Sequence, residues 1–131
     1  MIVISDTTPI ISLLKINHLD LLQELFGEIW IPDAVYKELI SNERFNQESR
    51  QIIDAEYVKK VAVGDSKSVS LLRRATGLDA GESEAIILSD ENRADILLMD
   101  EAKGRLVAKQ MGLTIMVMRG KASETFIGMA L

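Results

Sequence analysis

The chain has 131 residues, of which 47% are hydrophobic and 27% are charged, values typical of a single globular domain. Its formal net charge of −5 argues against a protein that is coated all over with positive charge to bind nucleic acid, but leaves a local basic patch open. The apolar stretches are too short to span a bilayer, and the lack of cysteine excludes disulfides, thiolate chemistry and cysteine zinc sites. We therefore expect a soluble, cytoplasmic protein that does not bind membranes.

The first nine residues predict a buried strand followed by a helix. Met1 to Ile4 form a short apolar run of the kind found in parallel strands that are buried on both faces. Asp6 ends this strand, Thr8 is a suitable N-cap and Pro9 suits the first helical position. Asp6 would then lie where ligands bind in open α/β sheets, between the carboxyl end of a strand and a helix N-terminus. The alternative is that Asp6 only helps to cap the helix.

The next segments alternate between helices and strands. Helices are predicted over 10–16 and 19–26, and a short strand over 28–31. Pro32 then begins a helix in which Glu38 lies three residues after Val35, and therefore on the core-facing side. A carboxylate on a buried stripe is costly unless a positive charge meets it, so Glu38 either serves a site or reaches solvent from the edge of the stripe.

The middle of the chain carries a weaker pattern. Residues 41–56 are polar with little periodicity, which predicts the least ordered segment of the chain and a candidate lid or partner-facing arm. An edge strand is predicted over 57–63. A short helix around Leu71 and Leu72 follows, and Gly77 ends it.

An acidic block follows and predicts another helix. Asp79 is a plausible N-cap, and Glu82, three residues later, would complete a capping box. Glu84, Ile87 and Leu88 share one face, while Glu82 points roughly 160° away from that face at 100° per residue. We therefore assign Glu82 mainly to the helix end and Glu84 to a site.

The last third repeats the opening pattern. The apolar run at 96–99 predicts a buried strand that is ended by Asp100, followed by a helix over 101–111 and a strand over 114–118. Residues 119–131 are predicted to be weakly helical. The densest basic stretch, which we interpret as a solvated helix face, contains Lys103, Arg105, Lys109, Arg119 and Lys121.

Strands that alternate with helices at these lengths predict parallel βαβ crossovers. The expected fold is a three-layer α/β/α domain with a mostly parallel central sheet. Neither a GxGxxG sequence nor a P-loop is present, which disfavours dinucleotide and P-loop nucleotide binding.

Four carboxylates are predicted to meet at one edge of this sheet. Asp6 and Asp100 follow strands, whereas Glu38 and Glu84 lie in early turns of helices, and a parallel sheet brings all of these positions to the same rim. Anions this close raise each other's pKa values, and a hard divalent cation with oxygen ligands, Mg²⁺ or Mn²⁺, relieves the repulsion. Such sites typically hydrolyse phosphodiesters with a metal-activated water.

Four sequence blocks carry a resemblance to a known family. In chain order they are ISDTTPIISLLKI, WIPDAVYKELI, LDAGESEAIILS and ILLMDEAKGRLVAKQMGL. Their order and spacing resemble the PIN-domain superfamily, and most closely its VapC-like subgroup, in which the third block has the form D-x-G-E-x-E-A-I. The resemblance covers roughly residues 1 to 118 of this chain.

The resemblance implies a Rossmann-like PIN fold, a Mg²⁺ or Mn²⁺ site and metal-dependent endoribonuclease activity. It implies that the acids of the site are Asp6, Glu38, Glu84 and Asp100, with Glu82 as an alternative to Glu84. Thr7 and Thr8 stand where family members place small hydroxyl residues beside the metal, although helix capping explains them equally well.

The resemblance also implies partners. VapC proteins are toxins of type II toxin-antitoxin pairs, often homodimers, and a cognate antitoxin holds each inactive. The expected partners of this chain are therefore an RNA substrate, an antitoxin protein and a second copy of the chain.

We expect one PIN-like domain over residues 1–131, with its C-terminal end, 119–131, shortened relative to the family.

Two alternatives to a nuclease were considered. The short end and the acidic charge also suit a non-catalytic PIN-like binding or regulatory module. A phosphoacceptor receiver domain would need a lysine at the end of the last strand. This chain has Met118 and Arg119 there, which is a poor match.

Overall fold

A computed structural model describes residues 1–41, 46–121 and 124–129 of the chain. Its elements in chain order are β1 (Val3–Ser5), α1 (Thr7–Lys15), α2 (Asp20–Phe26), β2 (Ile29–Ile31), α3 (Asp33–Ser41), α4 (Asn46–Asp54), β3 (Val58–Lys60), α5 (Ser66–Thr76), α6 (Ala80–Asn92), β4 (Ile96–Leu98), α7 (Ala102–Gln110), β5 (Ile115–Lys121) and β6 (Glu124–Met129). In these ranges none of the helices has both the length and the apolar character needed to cross a bilayer.

The strands form one six-stranded sheet in the order β3-β2-β1-β4-β5-β6. Neighbours from β3 to β5 run parallel, and β6 alone pairs antiparallel to β5. The chain runs outward from β1 through β2 to β3, and then returns to the other side of β1 with β4. The strand order therefore reverses between β1 and β4, and such a reversal is where open α/β sheets bind ligands. The predicted α/β fold with a mostly parallel sheet is confirmed.

Helices cover both faces of the sheet, as the alternation of strand side chains shows. In β1 and β4, Val3 and Leu98 contribute to a core with α1, α2, α3 and α4, whereas Ile4 and Leu97 contribute to a second core with α6 and α7. Neighbouring residues of a strand point to opposite faces, so the two cores lie on opposite sides of the sheet. The layers are thus helix, sheet and helix.

The first helix begins earlier than the sequence predicted. Asp6 has extended backbone angles and takes the N-cap position, and Pro9 is the third helical residue instead of the first. Both placements are physically reasonable, because aspartate is a preferred N-cap and any residue of the first turn lacks an intrahelical partner for its N–H. The prediction of Thr8 as the N-cap was wrong.

The segment expected to be least ordered contains a helix. The helix α4 packs on α3, where Ser49 Oγ donates a 2.8 Å hydrogen bond to the carbonyl oxygen of Leu39, and Ile52 is fully buried. Only Ile52 and Ile53 of this helix are apolar, which is too few to show a clear helical period, so the prediction of a poorly ordered segment was wrong for 46–54. Residues 42–45 lie outside the described residues.

The C-terminal end is extended and not helical. From Met116 opposite Met129 to Lys121 opposite Glu124, β5 and β6 pair continuously. Thr125, Phe126 and Ile127 are good strand formers, and the open edge of β5 supplies the hydrogen-bond partners that a sequence pattern does not reveal. The helical prediction was wrong for 119–121 and 124–129, and the rest of that segment lies outside the described residues.

Candidate active site

The two strand ends that flank the reversal of strand order each carry an aspartate. Asp6 directly follows β1, and its N–H donates a 3.0 Å hydrogen bond to the carbonyl oxygen of Leu98, the last residue of β4. Asp100 lies two residues further along. Both aspartates therefore lie at the carboxyl edge of the sheet, as their positions in the sequence predicted.

Asp6 is a buried carboxyl group among other carboxyl groups. Only 4% of its surface is exposed, and burial raises its pKa from 3.8 to about 7. The backbone N–H of Thr7 acts in the opposite direction, while Asp79, Glu82 and Glu38 raise the pKa further. At neutral pH the negative form of Asp6 therefore lacks sufficient compensation from the protein, and a cation at this point would stabilise it.

Glu38 lies beside Asp6, although it is carried by a different helix. Its Oε2 accepts a 2.6 Å hydrogen bond from Thr7 Oγ1 at the start of α1. Gly81 of α6 lies between the two carboxylates, because a Cβ on this residue would be 3.4 Å from Glu38 Oε2 and 3.5 Å from Asp6 Oδ1. The lack of a side chain at this position leaves space between the two groups.

Glu82 combines the predicted role in capping with a second one. The predicted capping box is confirmed: Asp79 N donates to Glu82 Oε1 at 3.1 Å, and Glu82 N donates to Asp79 Oδ1 at 2.8 Å. The other oxygen, Oε2, is buried and has no hydrogen-bond partner among the described residues. Burial also raises the pKa of Glu82. A buried acceptor without a partner usually marks a place for water or an ion.

Glu84 lies in a neighbouring groove. It is half-buried, and its Oε1 accepts a 3.0 Å hydrogen bond from the backbone N–H of Ala34 in the first turn of α3. Together with Lys37 and Glu38 it lines a groove of about 560 Å³ between α3 and α6. Glu82 is thus among the carboxylates that raise the pKa of Asp6, whereas Glu84 accepts a hydrogen bond from the first turn of α3.

Asp100 is bound to β5. Its Oδ1 accepts a 2.7 Å hydrogen bond from the backbone N–H of Met118, and its carbonyl oxygen accepts a hydrogen bond from the Arg105 guanidinium. The helix α7 and the strand β5 therefore both hold the segment after β4 in place.

The two threonines differ in their surroundings. Thr7 is buried against Glu38, whereas Thr8 is exposed. Neither Asp79 nor Gly81 was predicted to be a neighbour of the site. A signal did exist for Gly81, because a glycine in a helix is about 1 kcal/mol less favourable than alanine and therefore calls for a packing or functional reason.

Comparison with known proteins fits this geometry. A family model described as PIN domain matches residues 2–118. The chain belongs to the PIN domain family. A solved structure titled "Structure of the PIN domain endonuclease Utp24" has a TM-score of 0.66 at 16% sequence identity, over 95% of this chain and 89% of that chain, which shows a shared fold. Sequence comparison with curated proteins gives no significant match.

The carboxylates of this PIN domain suit a hard divalent cation. Among the described residues no three His, Asp or Glu side chains could hold one ion as they stand. Mg²⁺, however, commonly takes only one or two carboxylates and keeps several waters. Asp6 and Glu38 supply two carboxylates around the space at Gly81, and the free Oε2 of Glu82 is a buried acceptor for water. The donor set is therefore chemically suitable for Mg²⁺ or Mn²⁺.

Proposed function

We propose that this PIN domain is a metal-dependent endoribonuclease that hydrolyses RNA phosphodiesters. The observation that carries the proposal is the close approach of the buried Asp6 carboxyl group and Glu38 on either side of Gly81, at the reversal of strand order, with Asp79 and Glu82 near enough to raise the pKa of Asp6. A buried carboxyl group such as Asp6, with other carboxylates beside it, destabilises the fold in its charged form unless a positive charge offsets it. A nuclease has a use for this arrangement, because its substrate, its attacking water and its metal ion all meet there.

Within this proposal each side chain has a distinct task. Asp6 and Glu38 would hold Mg²⁺ or Mn²⁺ directly, and the Thr7 hydroxyl fixes the orientation of the Glu38 carboxylate. Glu82 Oε2 is placed to accept a hydrogen bond from a water molecule. The bound cation would supply a water of lowered pKa and offset negative charge on the phosphate and the leaving oxygen.

We propose that the other two acids predicted from the sequence act through water. Glu84 Oε1 accepts from the Ala34 N–H, and its second oxygen would accept a hydrogen bond from a metal-bound water. Asp100, whose Oδ1 accepts from the Met118 N–H, is proposed for the same task because it follows β4 at the carboxyl edge of the sheet. Backbone hydrogen bonds of this kind also fix the orientation of the carboxylate, which is the usual task of groups around a metal site.

A cleavage assay tests the nuclease proposal. Single-stranded RNA should be cut in the presence of Mg²⁺ or Mn²⁺ and left intact in EDTA. Asp6→Asn should abolish cleavage while the protein stays folded, whereas Asp90→Asn, the same change at an exposed acid at the far end of α6, should leave it unchanged. Full activity of the Asp6→Asn variant would overturn the proposal.

We further propose that the chain acts as the toxin of a type II toxin-antitoxin pair and as a homodimer. The VapC-like sequence blocks support this role, and the groove between α3 and α6 is large enough for a side chain or short segment of a partner. Induced expression should stop growth with the natural sequence and not with Asp6→Asn. Sedimentation of the purified protein at several concentrations should show a dimer. Normal growth after induction would overturn the toxin role, and a monomer at every concentration would overturn the homodimer.

The second candidate is a PIN-like module that binds a partner without cleaving RNA. It is favoured by the hydrogen bonds that engage Glu84 and Asp100 with backbone groups, because these leave fewer carboxylate oxygens for a metal ion. The same assay separates the two candidates: a module of this kind would leave RNA intact at every metal concentration.

A further inference from the structure

The helix α5 presents a basic face in an otherwise acidic protein. Residues 66–78 contain Lys67, Arg73 and Arg74 and no carboxylate, while the whole chain has a formal net charge of −5. All three cations are exposed, and none forms an ion pair with a carboxylate that the structure describes. The positive charge of this face is therefore available to an anionic partner.

Part of this face is a shallow depression with a mixed lining. It has a volume of about 280 Å³ and is lined by Ser66, Lys67, Ser70, Leu71 and Arg74. Lys67 and Arg74 are seven residues apart, which places them two turns apart and roughly 10 Å along the helix axis. Between them lie the hydroxyl of Ser70 and the side chain of Leu71, which is 59% exposed.

This combination suits a single strand of nucleic acid better than a small anion. Lysine and arginine neutralise phosphates, and hydroxyl groups donate hydrogen bonds to phosphate or sugar oxygens. An exposed apolar side chain between two cations offers a surface to a base, which a free phosphate would not use. An acidic protein segment would also pair with these cations, but it would not require them to lie two turns apart along the helix.

The basic face continues to the carboxylate site through Lys103. The helix α5 ends at Gly77, two residues before Asp79 caps α6. Lys103 Nζ lies 3.1 Å from the position that a Cβ on Gly77 would occupy. The neighbouring residue, Gly104, lies beside Glu82, since a Cβ there would be 3.5 Å from Glu82 Oε2. One lysine thus links the end of α5 to the edge of the acidic site.

We propose that Lys67, Arg74 and Lys103 form a binding track for the phosphate backbone of single-stranded RNA on its way to the carboxylate site. This inference rests on the proposed nuclease function and adds to it where the substrate lies. The track would also explain how an acidic protein binds a polyanion, because the contacts with phosphates are confined to one face.

Binding of a fluorescently labelled single-stranded RNA tests the track. The Asp6→Asn variant serves as the parent protein, so that binding is measured without cleavage. In this background Lys67→Ala with Arg74→Ala is compared with Lys15→Ala with Arg50→Ala. The second pair removes the same charge from exposed positions on α1 and α4, which pack on the other face of the sheet from Leu72 of α5. Affinity is measured by fluorescence anisotropy between about 50 and about 200 mM salt.

The two double variants should differ clearly. Loss of two phosphate contacts should weaken binding and reduce the slope of log affinity against log salt by about 1.4, since each contact with a single strand contributes about 0.7. The Lys15 and Arg50 variant should keep the slope of the parent. With Asp6 intact, the Lys67 and Arg74 variant should raise KM for RNA cleavage and leave kcat unchanged.

Equal slopes in the two double variants would overturn the track, and so would a parent that fails to bind RNA. Preference of the parent for an acidic peptide, unchanged by competing RNA, would assign the face to a protein partner and also overturn it. These outcomes are distinguishable from failure of the proposed function, which would appear as RNA left intact by the natural sequence or as cleavage that persists in Asp6→Asn. Matching thermal unfolding curves check that both double variants are folded.

Discussion

Thr7 Oγ1 donates a 2.6 Å hydrogen bond to Glu38 Oε2 and so joins the start of α1 to α3. Because Asp6 directly precedes Thr7, this bond sets the positions of two carboxylates relative to one another. Asp6 caps α1 and Glu38 lies on α3, so neither helix alone would hold the two carboxylates side by side.

Replacement of Thr7 by valine removes this hydrogen bond and keeps nearly the same side-chain shape. We expect Thr7→Val to lower the free energy of unfolding by only about 1 kcal/mol, since Glu38 can still reach water, and to reduce RNA cleavage strongly. Thr8→Val at the exposed neighbouring position is the matched control and should have little effect. Equal cleavage rates for the two variants would show that the hydroxyl of Thr7 does not orient Glu38.

The raised pKa of Asp6 predicts that stability falls as the pH rises. Between about pH 4 and about pH 7 the folded chain keeps a proton on Asp6 that the unfolded chain has released, because the pKa is about 7 in the fold and 3.8 without it. The free energy of unfolding should therefore decrease through this window in EDTA, by an amount on the order of a few kcal/mol.

The difference between the protein and its Asp6→Asn variant isolates this effect from the other titrating groups. Urea unfolding at several pH values should show the variant gaining stability relative to the parent as the pH rises from about 4 to about 7, with the difference levelling off above that window. Excess Mn²⁺ should reduce the difference, because a cation stabilises the charged form of Asp6. A difference that does not change with pH would contradict the account.

Gly81 offers a way to separate stability from metal binding. A Cβ there would lie 3.4 Å from Glu38 Oε2 and Val35 Cγ2, which is ordinary van der Waals contact. We expect Gly81→Ala to fold with equal or greater stability, since alanine is favoured over glycine in helices by about 1 kcal/mol. The methyl group would fill the space between Asp6 and Glu38, so cleavage should fall. Unchanged cleavage would place the ion elsewhere.

The hydrogen bond between Glu84 and Ala34 predicts different results for two variants at one position. Glu84→Gln keeps a side-chain oxygen that accepts from the Ala34 N–H, whereas Glu84→Ala leaves this group of α3 without its partner. We expect the alanine variant to lose about 1 kcal/mol of stability and the glutamine variant to lose little. Chemical unfolding of the two variants measures the difference. Equal losses would mean that the hydrogen bond contributes nothing.

Much of the fold could be predicted from local sequence patterns. Buried strands ended by Asp6 and Asp100, the capping box of Asp79 and Glu82, and glycine at the end of α5 all depend on neighbouring residues, and all are present in the structure. Parallel crossovers then bring the strand ends to one edge. The general position of an acidic site follows from these features alone.

The details that were missed depend on contacts between distant segments. Helical periodicity placed Glu84 correctly on an inward face, but it does not reveal that this face meets the N-terminus of α3. Glu82 was assigned to the helix end, and it does cap the helix. Its second oxygen is buried because α7 packs beside it at Gly104, which the pattern within α6 does not show. In the same way, β6 forms because β5 offers an open edge.

Calorimetric titration with Mn²⁺ tests most directly whether Asp6 and Glu38 hold one cation and whether Glu82 supports it through a water molecule. The protein should bind one ion per chain. Asp6→Asn should abolish the binding, and Glu82→Gln should weaken it by at least about tenfold, the size expected for loss of even an indirect contact. Asp90→Asn should bind as the parent does. Unchanged Mn²⁺ affinity in both Asp6→Asn and Glu82→Gln would contradict the account.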